Sequence, residues 1–126
     1  MCGFLIHQRD HTGVNGMQAI QEMSYRGLRT KYRGYKIWKE YDMLHTALPM
    51  VDPDPDVSIQ PIQYDDEPPS LFVGEIFNYK DFGDYPSDAH MIHSKYREEL
   101  NHEFFHKFDG FWSYVTFFND SPIAYT

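Results

Sequence analysis

The chain opens with Met1-Cys2-Gly3-Phe4-Leu5-Ile6, and this stretch holds the only cysteine of the 126 residues. Methionine aminopeptidase removes an initial methionine when the second residue is small, so we expect a mature chain that begins at Cys2. Such a residue carries both a thiol and a free α-amino group. An α-amine with a pKa of about 8 can accept the thiol proton near neutral pH, which makes the pair a nucleophile and its base. The apolar residues that follow predict a strand, which would hold the nucleophile on a rigid element.

Length and composition limit the classes of protein that the chain can belong to. Its 126 residues predict a single domain over residues 1–126, with a core large enough to fold without cross-links. One cysteine excludes an intramolecular disulfide and is typical of a reducing cytoplasm, where we expect the protein. We expect neither a secretory leader nor a membrane span, since no stretch approaches roughly 20 apolar residues. The formal charge of −8 argues against a molecule built to condense on nucleic acid.

Hydrophobic periodicity predicts a mixture of helices and strands. A helix is expected over residues 14–26, where apolar side chains recur at helical spacing and Gly27 follows as a C-cap. A second helix is expected over residues 88–100, with Ser87 as its N-cap. Strands are expected at residues 2–7, 42–51, 70–76 and 111–118, and another is expected to start at 123–126.

Several later segments share a pattern with one known family. Leu71-Phe72-Val73-Gly74-Glu75-Ile76-Phe77-Asn78-Tyr79 resembles the NGEIYN segment of class II (N-terminal nucleophile) glutamine amidotransferases, especially those of the asparagine synthetase type. Four more segments are similar to the family's HRRLSIV, QPL, SDxEVI and L.GMFAFA motifs: His45-Thr46-Ala47-Leu48-Pro49-Met50-Val51, Gln60-Pro61-Ile62, Ser87-Asp88 and Phe108-Asp109-Gly110-Phe111-Trp112-Ser113-Tyr114. With Met1-Cys2-Gly3-Phe4 in front, they follow the family's order and spacing over nearly the whole chain.

The resemblance implies an α+β fold, the four-layer α-β-β-α sandwich of N-terminal nucleophile hydrolases, here C-terminally shortened. It also implies hydrolysis of the side-chain amide of glutamine. Cys2 would attack the amide, a γ-glutamyl thioester would form, ammonia would leave, and water would release glutamate. The ammonia would pass to a synthetase partner, since we expect no synthetase domain within these 126 residues. Neither a cofactor nor a metal is expected.

Residue by residue, the resemblance implies a site around Cys2 and Gly74. The backbone N–H of Gly74 would donate to the oxyanion, and a glycine there would let the substrate approach the backbone closely. Asp88 matches the aspartate that binds the α-ammonium of glutamine, and Glu75 matches the glutamate beside it. Main-chain groups near Met50 and Val51 would line the pocket. Taken alone, Asp88 is also typical of an acid in the first turn of a helix, which the helix dipole favours.

Two positions depart from the family pattern. The arginine that grips the α-carboxylate of glutamine falls on Ala47, and the oxyanion-hole asparagine falls on Val73. Losing one oxyanion donor lowers turnover by roughly 10²–10³. A hydrogen bond to a charged group is worth about 1.5–3 kcal/mol. Because the nucleophile is kept while the glutamine site is altered, a degenerate, non-catalytic binding or regulatory domain is the alternative function. Arg26 or Arg29 could replace the missing cation.

A zinc hydrolase is a third interpretation. His102-Glu103-Phe104-Phe105-His106 matches H-E-x-x-H, in which two histidines one helical turn apart bind zinc and the glutamate activates water. No obvious third ligand follows in residues 107–126, and the two phenylalanines are typical of the buried side of a short helix. We therefore interpret this segment as packing and expect no tightly bound metal.

Two further segments have compositions that also occur at binding sites. Residues 52–56 read Asp-Pro-Asp-Pro-Asp, but the sixth and twelfth positions of a calcium loop are Val57 and Gln63 instead of glycine and glutamate. Residues 26–39 hold six of the eleven basic residues with aromatic side chains between them, a composition that also occurs where single-stranded nucleic acid is bound. In a chain that is otherwise acidic, we interpret this stretch as a solvated hairpin or a docking face for an acidic partner.

The first prediction concerns the mature N-terminus. Because the α-amine must be free to act as the base, protein from the native host should lack Met1 and begin at Cys2. Intact-mass measurement decides this directly. A chain that keeps Met1 would contradict the mechanism in which the α-amine activates the thiol.

Overall fold

A computed structural model describes residues 3–9, 18, 21–22, 33–46, 59–99 and 101–126. Within these ranges the chain is an α+β protein. Its strands are β1 (Gly3–Gln8), β2 (Arg33–Trp38), β3 (Tyr41–Thr46), β4 (Leu71–Ile76), β5 (Gly110–Phe118) and β6 (Ser121–Tyr125). Along the sequence, helix α1 (Asp88–Glu98) comes between β4 and β5, as do the 3₁₀ helices Tyr79–Phe82 and Glu103–Lys107. Residues 18, 21 and 22 are also helical.

The described strands form two antiparallel sheets of three strands each. The first has the order β1-β3-β2, so that both outer strands pair with β3. The second has the order β4-β5-β6, with Leu71 opposite Val115 and Tyr114 opposite Tyr125. Asn119 and Asp120 join β5 to β6, and both have positive φ angles, of 48° and 65°. This is the backbone that tight hairpin turns of type I′ require.

The β4-β5-β6 sheet packs on both of its faces. Successive side chains of a strand point to opposite faces, so Leu71 and Phe72 contribute to different clusters. Leu71 packs with Met43 and Phe117 between the two sheets. Phe72 and Ile76 belong to a second buried cluster, which includes Ala89, Met91 and Ile92 of α1. The sheet therefore lies between α1 on one side and the β1-β3-β2 sheet on the other.

Helix α1 is fixed at both ends. Ser87 is the N-cap, and its Oγ accepts a hydrogen bond from the backbone N–H of His90 at 3.3 Å. In the last turn, Arg97 donates to Tyr114 Oη and Thr116 Oγ1 of β5, both at 3.2 Å, and to the carbonyl of Pro68. Its Nε lies 3.0 Å from Glu67 Oε2. One guanidinium thus ties the helix to β5 and to the turn before β4.

The segment before β4 crosses from one sheet to the other. The buried side chain of Gln60 pairs with the backbone of Phe72: Oε1 accepts from the N–H at 2.6 Å, and Nε2 donates to the carbonyl at 3.1 Å. The amide of Gln60 therefore takes the place of a neighbouring strand. The backbone of Gln60 also lies on β2, where a Cβ added to Gly34 would collide with the Gln60 carbonyl.

The structure confirms the α+β class and most of the expected elements that it describes. The predicted helix over 88–100 ends at Glu98, and the strand expected over 42–51 is Tyr41–Thr46, its remainder lying outside the described residues. The strand expected to start at residues 123–126 is β6, and it already begins at Ser121. Most of the predicted helix over 14–26 also lies outside the described residues. No helix in the described part of the chain has the length and apolar character needed to cross a membrane.

Removing the side-chain amide of Gln60 should destabilise the fold strongly. Gln60→Ala leaves the N–H and the carbonyl of Phe72 without their partners, at about 1–3 kcal/mol for each buried group. Urea denaturation of this variant should show that loss in the free energy of unfolding. Gln63→Ala is the matched control, because Gln63 also makes two hydrogen bonds but is only partly buried. Equal losses in the two variants would contradict the role given to Gln60.

Candidate functional site

The carboxylate of Asp88 joins the start of α1 to the end of β4. Asp88 Oδ2 accepts a hydrogen bond from the backbone N–H of Ile76 at 3.0 Å, although the two residues are 12 apart in sequence. Oδ1 accepts from the N–H of Ala89 at 2.9 Å. The side chain therefore lies against the strand that carries Gly74 and Glu75. Three of the residues that the resemblance assigned to the site are close together in the fold.

The Gly74 amide lies on the same edge of β4 as these contacts. The pairing of β4 with β5 runs without interruption from Leu71 to Ile76. Backbone N–H groups alternate along a strand, so those of residues 72, 74 and 76 point to one edge. On that edge Gln60 binds Phe72 and Asp88 binds Ile76, and the N–H of Gly74 lies between them. The expected oxyanion donor and the expected ammonium acceptor thus share one strand edge.

The electrostatics of this edge favour a cation. Burial raises the pKa of Asp88 above its ordinary value, the N–H groups of Ile76 and Ala89 oppose this rise, and the charge of Glu75 adds to it. A carboxylate has about four acceptor positions, and the two N–H groups occupy two of them. A ligand ammonium between Asp88 and Glu75 would meet two negative charges and acceptors that are still open.

Gly74 is required by the sheet itself. Its φ is +130°, and an added Cβ would collide with the Phe111 carbonyl and come within 2.6 Å of Trp112 Cα. Gly110 on β5 has a φ of +149°, and its added Cβ would collide with the Glu75 carbonyl. The resemblance explains this glycine by the close approach of a substrate. The backbone conformation and the close pairing of β4 with β5 are the reasons that the structure supplies.

Of the other positions that bear on the predicted site, the structure describes only some. Val73 is half-buried opposite Ser113 in the β4–β5 pair, and its side chain offers no hydrogen-bond donor. Gly3, the residue after the predicted nucleophile, is buried and pairs with Thr46. The positions outside the described residues are Cys2, Arg26, Arg29, Ala47, Met50 and Val51.

The H-E-x-x-H segment has the wrong geometry for a zinc helix. Residues Glu103–Lys107 form a 3₁₀ helix that starts after His102. With three residues per turn, positions i and i+4 are about 120° apart around the axis instead of on one face. No group of three or more His, Cys, Asp or Glu side chains in the described part of the chain could hold a metal ion.

The basic stretch is largely occupied by internal contacts where it is described. Lys36 Nζ donates to Gln63 Oε1 at 2.6 Å, and Lys39 forms an ion pair with Asp120. Both ammonium groups therefore already have an acceptor within the fold. The Asp-Pro-Asp-Pro-Asp segment, residues 52–56, lies outside the described residues.

Two histidines to which the sequence analysis assigned no role are buried. His45 on β3 is 1% exposed, neither ring nitrogen has a hydrogen-bond partner among the described residues, and burial lowers its pKa to about 4. His93 on α1 is fully buried with its Nδ1 2.5 Å from Ser70 Oγ. Burial, followed by the charges of Arg97 and His90, lowers the pKa of His93 to about 3. A lone histidine within an apolar pattern does not reveal such an environment.

His93 should make the stability depend on pH. The unfolded chain binds a proton at this residue below pH 6.5, whereas the folded chain does so only near pH 3, so stability falls as the pH falls through this window. His93→Gln should flatten the dependence of the unfolding free energy on pH between these values. The exposed His106→Gln is the control and should keep the wild-type profile. Identical pH profiles for all three proteins would rule out a buried neutral His93.

In comparisons with known proteins, no protein-family model and no curated protein matched the chain.

Proposed function

We propose that this chain is a class II glutamine amidotransferase domain, which hydrolyses glutamine through an N-terminal Cys2 and supplies ammonia to a synthetase partner. The observation that carries this proposal is the contact of the Asp88 carboxylate with the edge of β4, beside Gly74 and Glu75. These residues come from two separate motifs of the sequence. Their meeting at one strand edge is what a site for an amino acid with a scissile amide requires.

Each described group has a role in this reaction. Asp88 and Glu75 hold the α-ammonium of glutamine, which places its side-chain amide along the edge of β4. The N–H of Gly74 donates to the oxygen that becomes negative when the thiolate of Cys2 adds to the amide carbon. The α-amine of Cys2 takes the thiol proton and returns it to the departing ammonia, leaving a thioester. Water then adds to the thioester and releases glutamate and the free thiol.

The proposal also extends to the architecture. The two sheets are the central layers of an α-β-β-α sandwich, and α1 belongs to one of its outer layers. The start of β1 at Gly3 is buried and paired, and β1 also lies against β4. A nucleophile at residue 2 would therefore directly precede a fixed strand, which is the positioning that an attacking thiolate needs.

A non-catalytic binding domain is the second candidate. It is favoured by Val73, whose side chain cannot donate to an oxyanion, and by Ala47, which cannot pair with a carboxylate. In this case the acidic edge of β4 would still bind an amino acid, and a synthetase partner would respond to that binding.

Glutamate release from glutamine, together with glutamine binding, separates the two candidates. The amidotransferase should release glutamate slowly, Cys2→Ala should abolish this activity, and a diazoketone analogue of glutamine should add once, at Cys2. Val73→Asn should raise turnover by up to about 10²–10³, because it restores a second oxyanion donor. Binding without glutamate release in the wild type would favour the second candidate.

A matched pair of acidic variants tests the ammonium site. Asp88→Asn should weaken glutamine binding, whereas the exposed Asp84→Asn should leave it unchanged. Equal effects of the two substitutions, or undiminished glutamate release from Cys2→Ala, would contradict the proposed site.

A further inference from the structure

Two exposed phenylalanines lie beside Glu75, on a part of the sheet that the proposed reaction does not use. Phe111 is directly opposite Glu75 in the β4–β5 ladder, where the Cβ atoms of facing residues are about 4.5–5.5 Å apart. The ring centre of Phe77 lies 6.2 Å from that of Phe111, with the ring planes at 72°. The side chains of Phe77 and Phe111 are 62% and 65% exposed. An acidic group and an apolar surface are therefore neighbours here.

The backbone beneath this aromatic pair is fixed by hydrogen bonds. The N–H of Phe77 donates to the carbonyl of Asp109 at 2.7 Å. The side-chain amide of Asn78 accepts from the N–H of Asp109 at 2.8 Å and donates to the carbonyl of Lys107 at 2.9 Å. A surface that is already ordered costs less entropy when a ligand binds to it. It is suited to an apolar group attached to the same molecule as an ammonium.

The charges at the expected ammonium site leave a free amino acid poorly matched. In the described part of the chain, no Lys, Arg or His forms an ion pair with Asp88 or Glu75. Among neighbouring charges, that of Glu75 affects the pKa of Asp88 most, and it raises this pKa. The α-carboxylate of free glutamine is attached to the same carbon as the ammonium, so it would lie close to both acids. In a peptide this group is a neutral carbonyl, and the repulsion is absent.

We propose that the substrate is glutamine at the N-terminus of a peptide, with an apolar residue in the second position. The inference rests on the proposed amidotransferase chemistry and names the substrate of that site. Asp88 and Glu75 would hold the terminal ammonium, and the N–H of Gly74 would face the side-chain amide. The second side chain would pack on Phe77 and Phe111, next to Glu75.

The reaction changes only the side chain of the terminal glutamine. The thiolate of Cys2 adds to the γ-amide carbon, the C–N bond breaks, and ammonia leaves with the proton that the α-amine took from the thiol. Water then cleaves the thioester, which gives an N-terminal glutamate and restores the thiol. The peptide bond stays intact, and ammonia is a product as it is with free glutamine.

A short series of substrates tests each part of the ligand. It consists of free glutamine, Gln-Gly amide, Gln-Phe amide, and Gln-Phe amide with an acetylated N-terminus. Mass spectrometry measures γ-deamidation and separates it from spontaneous closure to pyroglutamate, a product that lacks one water. We expect kcat/KM to rise by about tenfold or more from glutamine to Gln-Gly amide, because the repulsion is removed. It should rise by about threefold to tenfold again with Gln-Phe amide, and the acetylated peptide should not react.

Variants of the aromatic pair test where the second residue binds. Phe77→Ala and Phe111→Ala should each lower kcat/KM for Gln-Phe amide by about threefold to tenfold and leave that for Gln-Gly amide unchanged. Phe118→Ala is the matched control, since Phe118 is 62% exposed and lies at the other end of the strand that carries Phe111. This control should keep the wild-type values for both peptides.

Binding is measured separately by calorimetry on Cys2→Ala, which has no thiol to react. Gln-Phe amide should bind about tenfold more tightly than glutamine, or better. Free glutamine that binds or reacts as well as both peptides, or unchanged kinetics in both phenylalanine variants, would overturn this inference and leave the amidotransferase proposal standing. Peptide binding without γ-deamidation in the wild type would overturn the amidotransferase proposal and keep the peptide specificity. Neither binding nor γ-deamidation of any of these compounds would contradict both.

Discussion

The backbone groups at the outer edge of β4 need hydrogen-bond partners, and the described fold depends on the side chains that supply them. No strand pairs with this edge in the described sheet, so side chains take the place of one. Gln60 binds both backbone groups of Phe72, and Asp88 binds the N–H of Ile76. The first contact holds the crossing segment between the two sheets. The second holds the start of α1 against the end of β4. Unpaired backbone groups at a buried edge would cost more than either side chain loses on being fixed.

The same contacts produce the candidate site. At this edge the N–H groups of residues 72 and 76 are bound by the side chains of Gln60 and Asp88, and the N–H of residue 74 lies between these two side chains. Asp88 is held there against an electrostatic cost, since burial and the charge of Glu75 both raise its pKa. A ligand cation would relieve that cost. The group that completes the fold at this edge is therefore also the group that is best placed to recognise an ammonium.

Local signals in the sequence were sufficient for much of the fold. Short runs of apolar residues predicted β1, β4 and β5, and Ser87 before a helical pattern predicted the start of α1, because caps and hydrophobic patterns act within a few residues. Features that depend on the tertiary structure could not be predicted from such local signals. They include the pairing of Gln60 with Phe72, the 3₁₀ form of Glu103–Lys107 and the burial of His45 and His93. Motif order brought Gly74, Glu75 and Asp88 into one hypothesis, and the fold shows them as neighbours, while the half of the site around Cys2 stays a prediction.

The closed edge of β4 has a consequence for the behaviour of the protein in concentrated solution. Open strand edges attract strands of other molecules and so lead to aggregation. On one side of the β4-β5-β6 sheet, Gln60 and Asp88 already occupy the positions that an incoming strand would use. On the other side, β6 contains Pro122, which has no N–H to donate. Neither border of this sheet offers an uninterrupted row of backbone groups, so it resists edge-to-edge growth into fibrils.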